Sequence, residues 1–336
     1  MILVTGATGT IGSSVLRLLR DQGGPVRAMS RTPAKITAAA QASGSVSALG
    51  SGSVSALGSG SVSASAAAAP TEVEGEGEVE GEVEGEGEVE VVRGDFDDPV
   101  SLRRAVAGVE AVFLLTAPVS PTPRHDLALV EAARAAGVAR IVKLSAIGTG
   151  ERFGADQVVG DWHLEAEQAV RAGGLAWTLL RPSSFASNTL GWAGAIAAGT
   201  PVPNLTGAGR QGVVDPRDVA EVAVAALTSD GHVGRTYTLT GPAAISVPEQ
   251  AEVLADLLGR PIGTIDLIEE AARQRLTAAG LEPTAVRAAL IGSAWARAGR
   301  NETVTDDVPR ILGRPAATFR TWARDHRTAF GVVAGG

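Results

Sequence analysis

Two stretches near the start of this 336-residue chain hold residues whose types and spacing could do chemistry. In Gly6-Ala7-Thr8-Gly9-Thr10-Ile11-Gly12, glycines recur at every third position, directly after the apolar run 1–5 and directly before an amphipathic stretch over 11–22. Strand, glycine turn, helix is the order that cradles a dinucleotide diphosphate. Glycines let the chain turn sharply, let backbone approach the phosphates and let the helix sit close on the strand, while the helix dipole favours the anion. The spacing is one residue longer than Gly-x-Gly-x-x-Gly, so the weight rests on position in the chain rather than on the pattern alone. Gly6, Thr8, Gly9, Thr10, Ile11 and Gly12 are the candidate diphosphate-binding residues.

The second apolar run, 26–30, ends in Ser30-Arg31, about 20 residues beyond the turn, where a protein selective for NAD presents an acid to the ribose hydroxyl. An acid repels a 2′-phosphate, whereas a planar guanidinium binds one bidentately. Arg31 therefore predicts NADP, with Arg27 and Lys35 as possible helpers.

The elements that must position these residues follow an alternating order. Strands are expected at 1–5, 26–30, 89–92, 111–115, 140–144, 176–180 and 235–240, with amphipathic helices at 11–22, 125–136, 163–172 and 218–227. That alternation predicts an α/β fold, a doubly wound and mostly parallel sheet. Beyond Thr240 the pattern turns helical, with candidates at 248–258, 269–297 and 316–330. Residues 1–182 are expected to form the dinucleotide-binding domain and 183–336 a smaller substrate cap, with 213–240 returning to the sheet. Residues 43–66 hold three copies of a Ser/Gly-rich octapeptide and ten glutamates alternate from Glu72 to Glu90. This composition cannot bury enough apolar surface to offset its ordering entropy, so about 42–88 is read as a flexible insertion.

Composition narrows the partners. Removing those ten glutamates turns the formal charge of −8 into +2, and no basic cluster remains to hold a nucleic acid. The chain has no cysteine, which excludes thiolate chemistry and suits a reducing, cytoplasmic setting. No apolar run approaches the roughly 20 residues of a membrane span, and the strand at the start leaves no room for a signal peptide. The four histidines show no ligand spacing, so no metal is expected. Oligomeric state is open.

Further segments sit in a familiar order: Arg93-Gly94-Asp95-Phe96, Phe113-Leu114-Leu115-Thr116, Lys143-Leu144-Ser145-Ala146, Trp177-Thr178-Leu179-Leu180-Arg181-Pro182 and Val214-Asp215-Pro216-Arg217-Asp218. With the glycine turn and Ser30-Arg31 they resemble the NmrA-like, atypical short-chain dehydrogenases/reductases over nearly the whole chain outside the insertion. The resemblance implies that Asp95 and Phe96 flank the adenine, that Thr116 lies under the cofactor and that Ser145 borders the nicotinamide.

One departure bears on catalysis. Ordinary members of that superfamily use a Tyr-x-x-x-Lys pair, but the single tyrosine here, Tyr237, lies in a strand and has no such lysine. Where the dyad helix should begin stands His163, with Glu167 one turn later on the same face. A neighbouring carboxylate would raise the histidine's pKa and orient its ring, so His163 is the expected proton donor, beside Ser145. No lysine or arginine occurs from Ser183 through Gly209, and Phe185, Asn188 and Trp192 there fit an apolar lid or, for the aromatics, equally well core packing.

The leading expectation is an NADPH-dependent reductase of a flat apolar carbonyl, quinone or enone. A non-turning NADP(H) sensor and an isomerase or epimerase on the same fold are the alternatives. Because long surface insertions cost little loop entropy, deleting residues 42–71 should leave melting temperature and cofactor affinity nearly intact. A large drop in melting temperature would show that the repeats are packed.

Overall fold

The computed structural model describes residues 1–36, 89–116 and 121–331; the expected insertion at 42–88 lies outside them. Seven strands form one wholly parallel sheet. They are β1 (Ile2–Val4), β2 (Val26–Ser30), β3 (Val89–Arg93), β4 (Ala111–Leu114), β5 (Arg140–Leu144), β6 (Ala176–Pro182) and β7 (Arg235–Leu239), in the spatial order β7-β6-β5-β4-β1-β2-β3. The sheet is thus wound outward both ways from β1, which pairs with β2 on one side and β4 on the other. All seven expected strands are present, and a dinucleotide belongs at the switch between β1, β2 and β4.

Both faces of such a sheet are covered, so its strands must be apolar throughout rather than alternating. Strand β4 meets this demand, with Ala111, Val112, Phe113 and Leu114 all buried. One face packs on α1 (Thr10–Asp21) through Ile11, Val15 and Leu19, and on the helix Pro216–Thr228 through Val219, Ala220 and Ala223. The other packs on α2 (Pro99–Ala105), α3 (Arg124–Ala135) and α4 (Asp161–Ala172) through Leu102, Leu129, Ala133 and Val170. Local sequence explains where these helices start. Asp98 and Asp215 accept hydrogen bonds from the backbone N–H groups of Val100 and Arg217, each followed by proline at the first helical position.

After β7 the chain is mainly helical. The expected continuous helix over 269–297 is two, Glu269–Ala278 and Pro283–Arg297, because Gly280 at φ +83° leaves the helical region and Pro283 restarts the chain. The second helix is anchored to the loop after β5 by Trp295. Its ring lies 2.7 Å from where a Cβ on Gly148 would stand, and its Nε1 donates to Glu151 at 3.0 Å. Phe185 joins the sheet core and Trp192 the cap core, with Ile196, Val202 and Trp322. Their burial is the core packing that the sequence leaves open beside a substrate lid. No helix among the described residues is long and apolar enough to cross a membrane.

Trp295 is 1% exposed, and removing so large a buried ring should cost about 3–5 kcal/mol. Trp295→Ala is expected to lower the urea midpoint at an unchanged slope. A loss below about 1 kcal/mol would show that this helix is held elsewhere.

Candidate active site

The glycine turn is built as a cradle. Gly6 adopts φ +64°, a left-handed backbone that other residues avoid, and a Cβ there would strike Leu115 at 2.8 Å. A Cβ on Gly12 would lie 2.1 Å from the carbonyl oxygen of Gly6, so only glycine lets α1 come this close to the strand end. Gly9 N–H donates to Gly6 O at 2.9 Å, closing the turn, and Ser13 N–H already reaches Gly9 O. The N–H groups of Thr10, Ile11 and Gly12 in the first turn have no acceptor within the helix and stand at its positive end. Thr8 and Thr10 are exposed, whereas Ile11 is buried as the helix's anchor. Unclaimed amides at a helix mouth that Gly6 and Gly12 hold tight against the end of β1 fit a diphosphate.

At the end of β2, Ser30 Oγ accepts from Thr32 N–H and donates to Thr32 O, a tight loop from which Arg31 projects exposed. Lys35 is also exposed. Arg27 is committed elsewhere: its guanidinium pairs with Glu90 and donates to the carbonyls of Ala105 and Ala107 at 2.9 and 2.7 Å. Its expected assistance to Arg31 is withdrawn. At the end of β3, Asp95 Oδ1 accepts from Asp97 N–H at 3.1 Å, and the Phe96 ring stacks on His125 with centroids 5.3 Å apart.

At the ends of β4 and β5 the site turns polar and buried. Thr116 Oγ1 donates to Asp126 at 2.7 Å, and Asp126 is paired with Lys143; both charged side chains are wholly inaccessible. Ser145 Oγ donates to Glu167 Oε1 at 2.6 Å, and the same carboxylate takes a two-pronged contact from Arg181 at 2.8 and 2.6 Å and a third from Arg171 at 3.1 Å. Breaking either pair from one side would strand a buried charge at about 3–5 kcal/mol. Asp126 carried no sequence signal beyond its place in the first turn of α3. Lys143 did carry one, as a cation inside an apolar strand.

His163 departs from the sequence expectation. Glu167 is fully engaged by Ser145 and the two arginines, so no carboxylate orients the imidazole or raises its pKa. The ring is 1% exposed, stacks on Trp162 at 3.5 Å between centroids, and leaves both nitrogens without a hydrogen-bond partner among the described residues. Burial, then the Lys143 cation and the Arg181 guanidinium, hold its pKa well below the usual histidine value. His163 is therefore neutral near pH 7 and is not the charged acid that its spacing suggested. It stands near the β5 loop: a Cβ on Gly160 would lie 3.0 Å from Thr149 Oγ1 and 3.7 Å from His163 Cδ2.

Comparison with known proteins agrees with this geometry. Residues 77–230 match a family model described as NAD(P)H-binding. The chain is 39% identical to the (4-alkanoyl-5-oxo-2,5-dihydrofuran-3-yl)methyl phosphate reductase of Streptomyces griseus, over 98% of this chain and 99% of the relative. It is 33% identical to the NAD(P)H azoreductase of Xenophilus azovorans, over 99% and 100%. Among solved structures, the NADPH-dependent quinone oxidoreductase of Escherichia coli complexed with NADPH superposes with a TM-score of 0.71 at 22% identity, over 98% of this chain and 99% of that one. A parallel sheet wound from a glycine cradle, and full-length likeness to two reductases, lead to one conclusion: the chain belongs to the NAD(P)H-binding, NmrA-like atypical short-chain dehydrogenases/reductases.

Proposed function

We propose that the protein is an NADPH-dependent reductase acting on a flat, uncharged carbonyl, quinone or enone. The observation that carries the reading is the cradle at Gly6 and Gly12 with an exposed guanidinium, not an acid, at the end of β2. The helix mouth holds the diphosphate, Arg31 the 2′-phosphate, Asp95 and Phe96 the adenine side, and Thr116 and Ser145 the nicotinamide side. The cofactor supplies the hydride. The relatives' names, an azoreductase and a furanone phosphate reductase, support reduction of conjugated acceptors.

In this reading His163 is a hydrogen-bond donor rather than an acid. A neutral imidazole can place an N–H on an oxygen that gains charge as hydride arrives, and water supplies the proton that completes the product. The absence of Lys and Arg from 183 to 209, together with the pairing of Arg210 to Glu249, favours an uncharged acceptor over a phosphorylated one. A sensor without turnover is the second reading, favoured by the missing Tyr/Lys pair.

Purified protein should oxidise NADPH in the presence of quinones and aromatic enones, and His163→Ala should lower that rate by about 100- to 1,000-fold, the range for removing one oxyanion donor. Since the depressed pKa keeps the ring neutral, kcat should stay level from about pH 6 to 8 and fall only as acid charges it. Tight NADPH binding with no turnover on any acceptor would favour the sensor. Faster reduction of phosphorylated butenolides than of neutral ones would overturn the substrate class. Arg31→Asp should shift preference toward NADH, and an unchanged NADPH/NADH affinity ratio would remove the phosphate assignment.

A further inference from the structure

A hydroxyl group carries one proton, so whichever group takes that proton decides whether the oxygen can offer its other partners anything but lone pairs. At the ends of the neighbouring strands β4 and β5, both protons are taken from inside the protein. Thr116 gives its proton to Asp126, and Ser145 gives its own to Glu167. Thr149, beside Ser145, donates to the carbonyl of Ala146 at 2.7 Å. Both carboxylates are fully buried and pinned by cations, Asp126 by Lys143 and Glu167 by Arg181 and Arg171. Hydrogen bonds from a hydroxyl to an ionised carboxylate are short and roughly twice as strong as neutral ones, so a ligand has little chance of reclaiming either proton.

We infer that Asp126 and Glu167 are positioning residues that lock Thr116 and Ser145 as acceptor-only oxygens, which recognise donors on the nicotinamide half of the dinucleotide and leave His163 to donate to the substrate. The inference rests on the NADPH reading above. With the diphosphate at the mouth of α1 and the adenosine toward β2, the other half of the molecule extends toward β4 and β5, where Thr116 and Ser145 stand. That half carries ribose hydroxyls and a carboxamide NH2, all donors. A carbonyl or quinone has only lone pairs, and a serine whose proton is spent cannot polarise it. The buried Asp126–Lys143 pair and the buried Glu167 carboxylate thereby acquire a role in recognition.

The test compares dissociation constants for NADPH and for analogues lacking one hydroxyl of the nicotinamide ribose. Wild-type protein should prefer NADPH over at least one analogue by about tenfold, the size of a single hydrogen bond. Ser145→Ala or Thr116→Val should reduce that ratio to within about twofold, a change that general loosening does not produce because it weakens both ligands alike. Glu167→Gln probes the positioning itself. Oε2 takes two guanidinium contacts, from Arg181 Nη2 and Arg171, whereas Oε1 takes one, from Arg181 Nε, beside Ser145; the amide oxygen is therefore expected at the Oε2 place, with its NH2 turned toward Ser145 and Arg181 Nε. Ser145, although still present, then becomes free to donate outward, and the discrimination should fall as it does in Ser145→Ala. Wild-type discrimination retained in both hydroxyl variants, or in Glu167→Gln, would overturn the assignment while leaving NADPH binding intact. A wild-type protein with no affinity for NADPH would overturn the functional reading as well, so the two failures are distinguishable.

Discussion

The approach of Gly12 to the carbonyl of Gly6 is the contact on which the remainder of the site depends. It sets the mouth of α1 directly at the end of β1, the strand from which the sheet is wound in both directions. In a parallel sheet every strand ends on the same side, so fixing one glycine turn also fixes where β2, β3, β4 and β5 deliver their terminal residues. Arg31, Asp95, Thr116 and Ser145 are such residues. Their common address follows from topology, not from any attraction among them.

Electrostatics divides that address into two zones. At the β2 and β3 ends, Arg31 is exposed and Asp95 and Phe96 half-covered, which suits a charged, partly solvated adenosine phosphate. At the β4 and β5 ends the charges are buried and internally paired, so water is scarce and dipoles are fixed. A neutral histidine belongs in the second zone, because burial and then two nearby cations make a further positive charge unfavourable. The same cations hold the carboxylates that fix the hydroxyl groups, so they act on both the state of His163 and the orientation of Ser145.

The cap is tied to this second zone through Trp295, which packs against Gly148 and reaches Glu151 in the loop following Ser145. A further buried chain, Ser183 to Asn301 to Gln211, joins the end of β6 to the cap. Such hydrogen bonds cost little while made and much when broken, so they fix the cap's position more than they add to stability.

Much of the fold was legible in the sequence because it is written in local pattern: seven apolar runs, helix periodicity, and glycines where backbone must turn or touch. The seven strands, the glycine cradle and the residue following β2 all follow from neighbours within a few positions. The break at Gly280 was missed, because an apolar rhythm through 269–297 reads as one helix. What the sequence could not decide was pairing. Spacing set His163 beside Glu167, yet tertiary structure gave that carboxylate to Ser145, Arg171 and Arg181, groups up to 22 positions distant. Likewise Asp126 met Lys143 and Thr116 only because α3 crosses over β4 and β5. A side chain's type is local, but its protonation and its free hydrogen-bonding capacity depend on who reaches it first, and that contest is settled by packing.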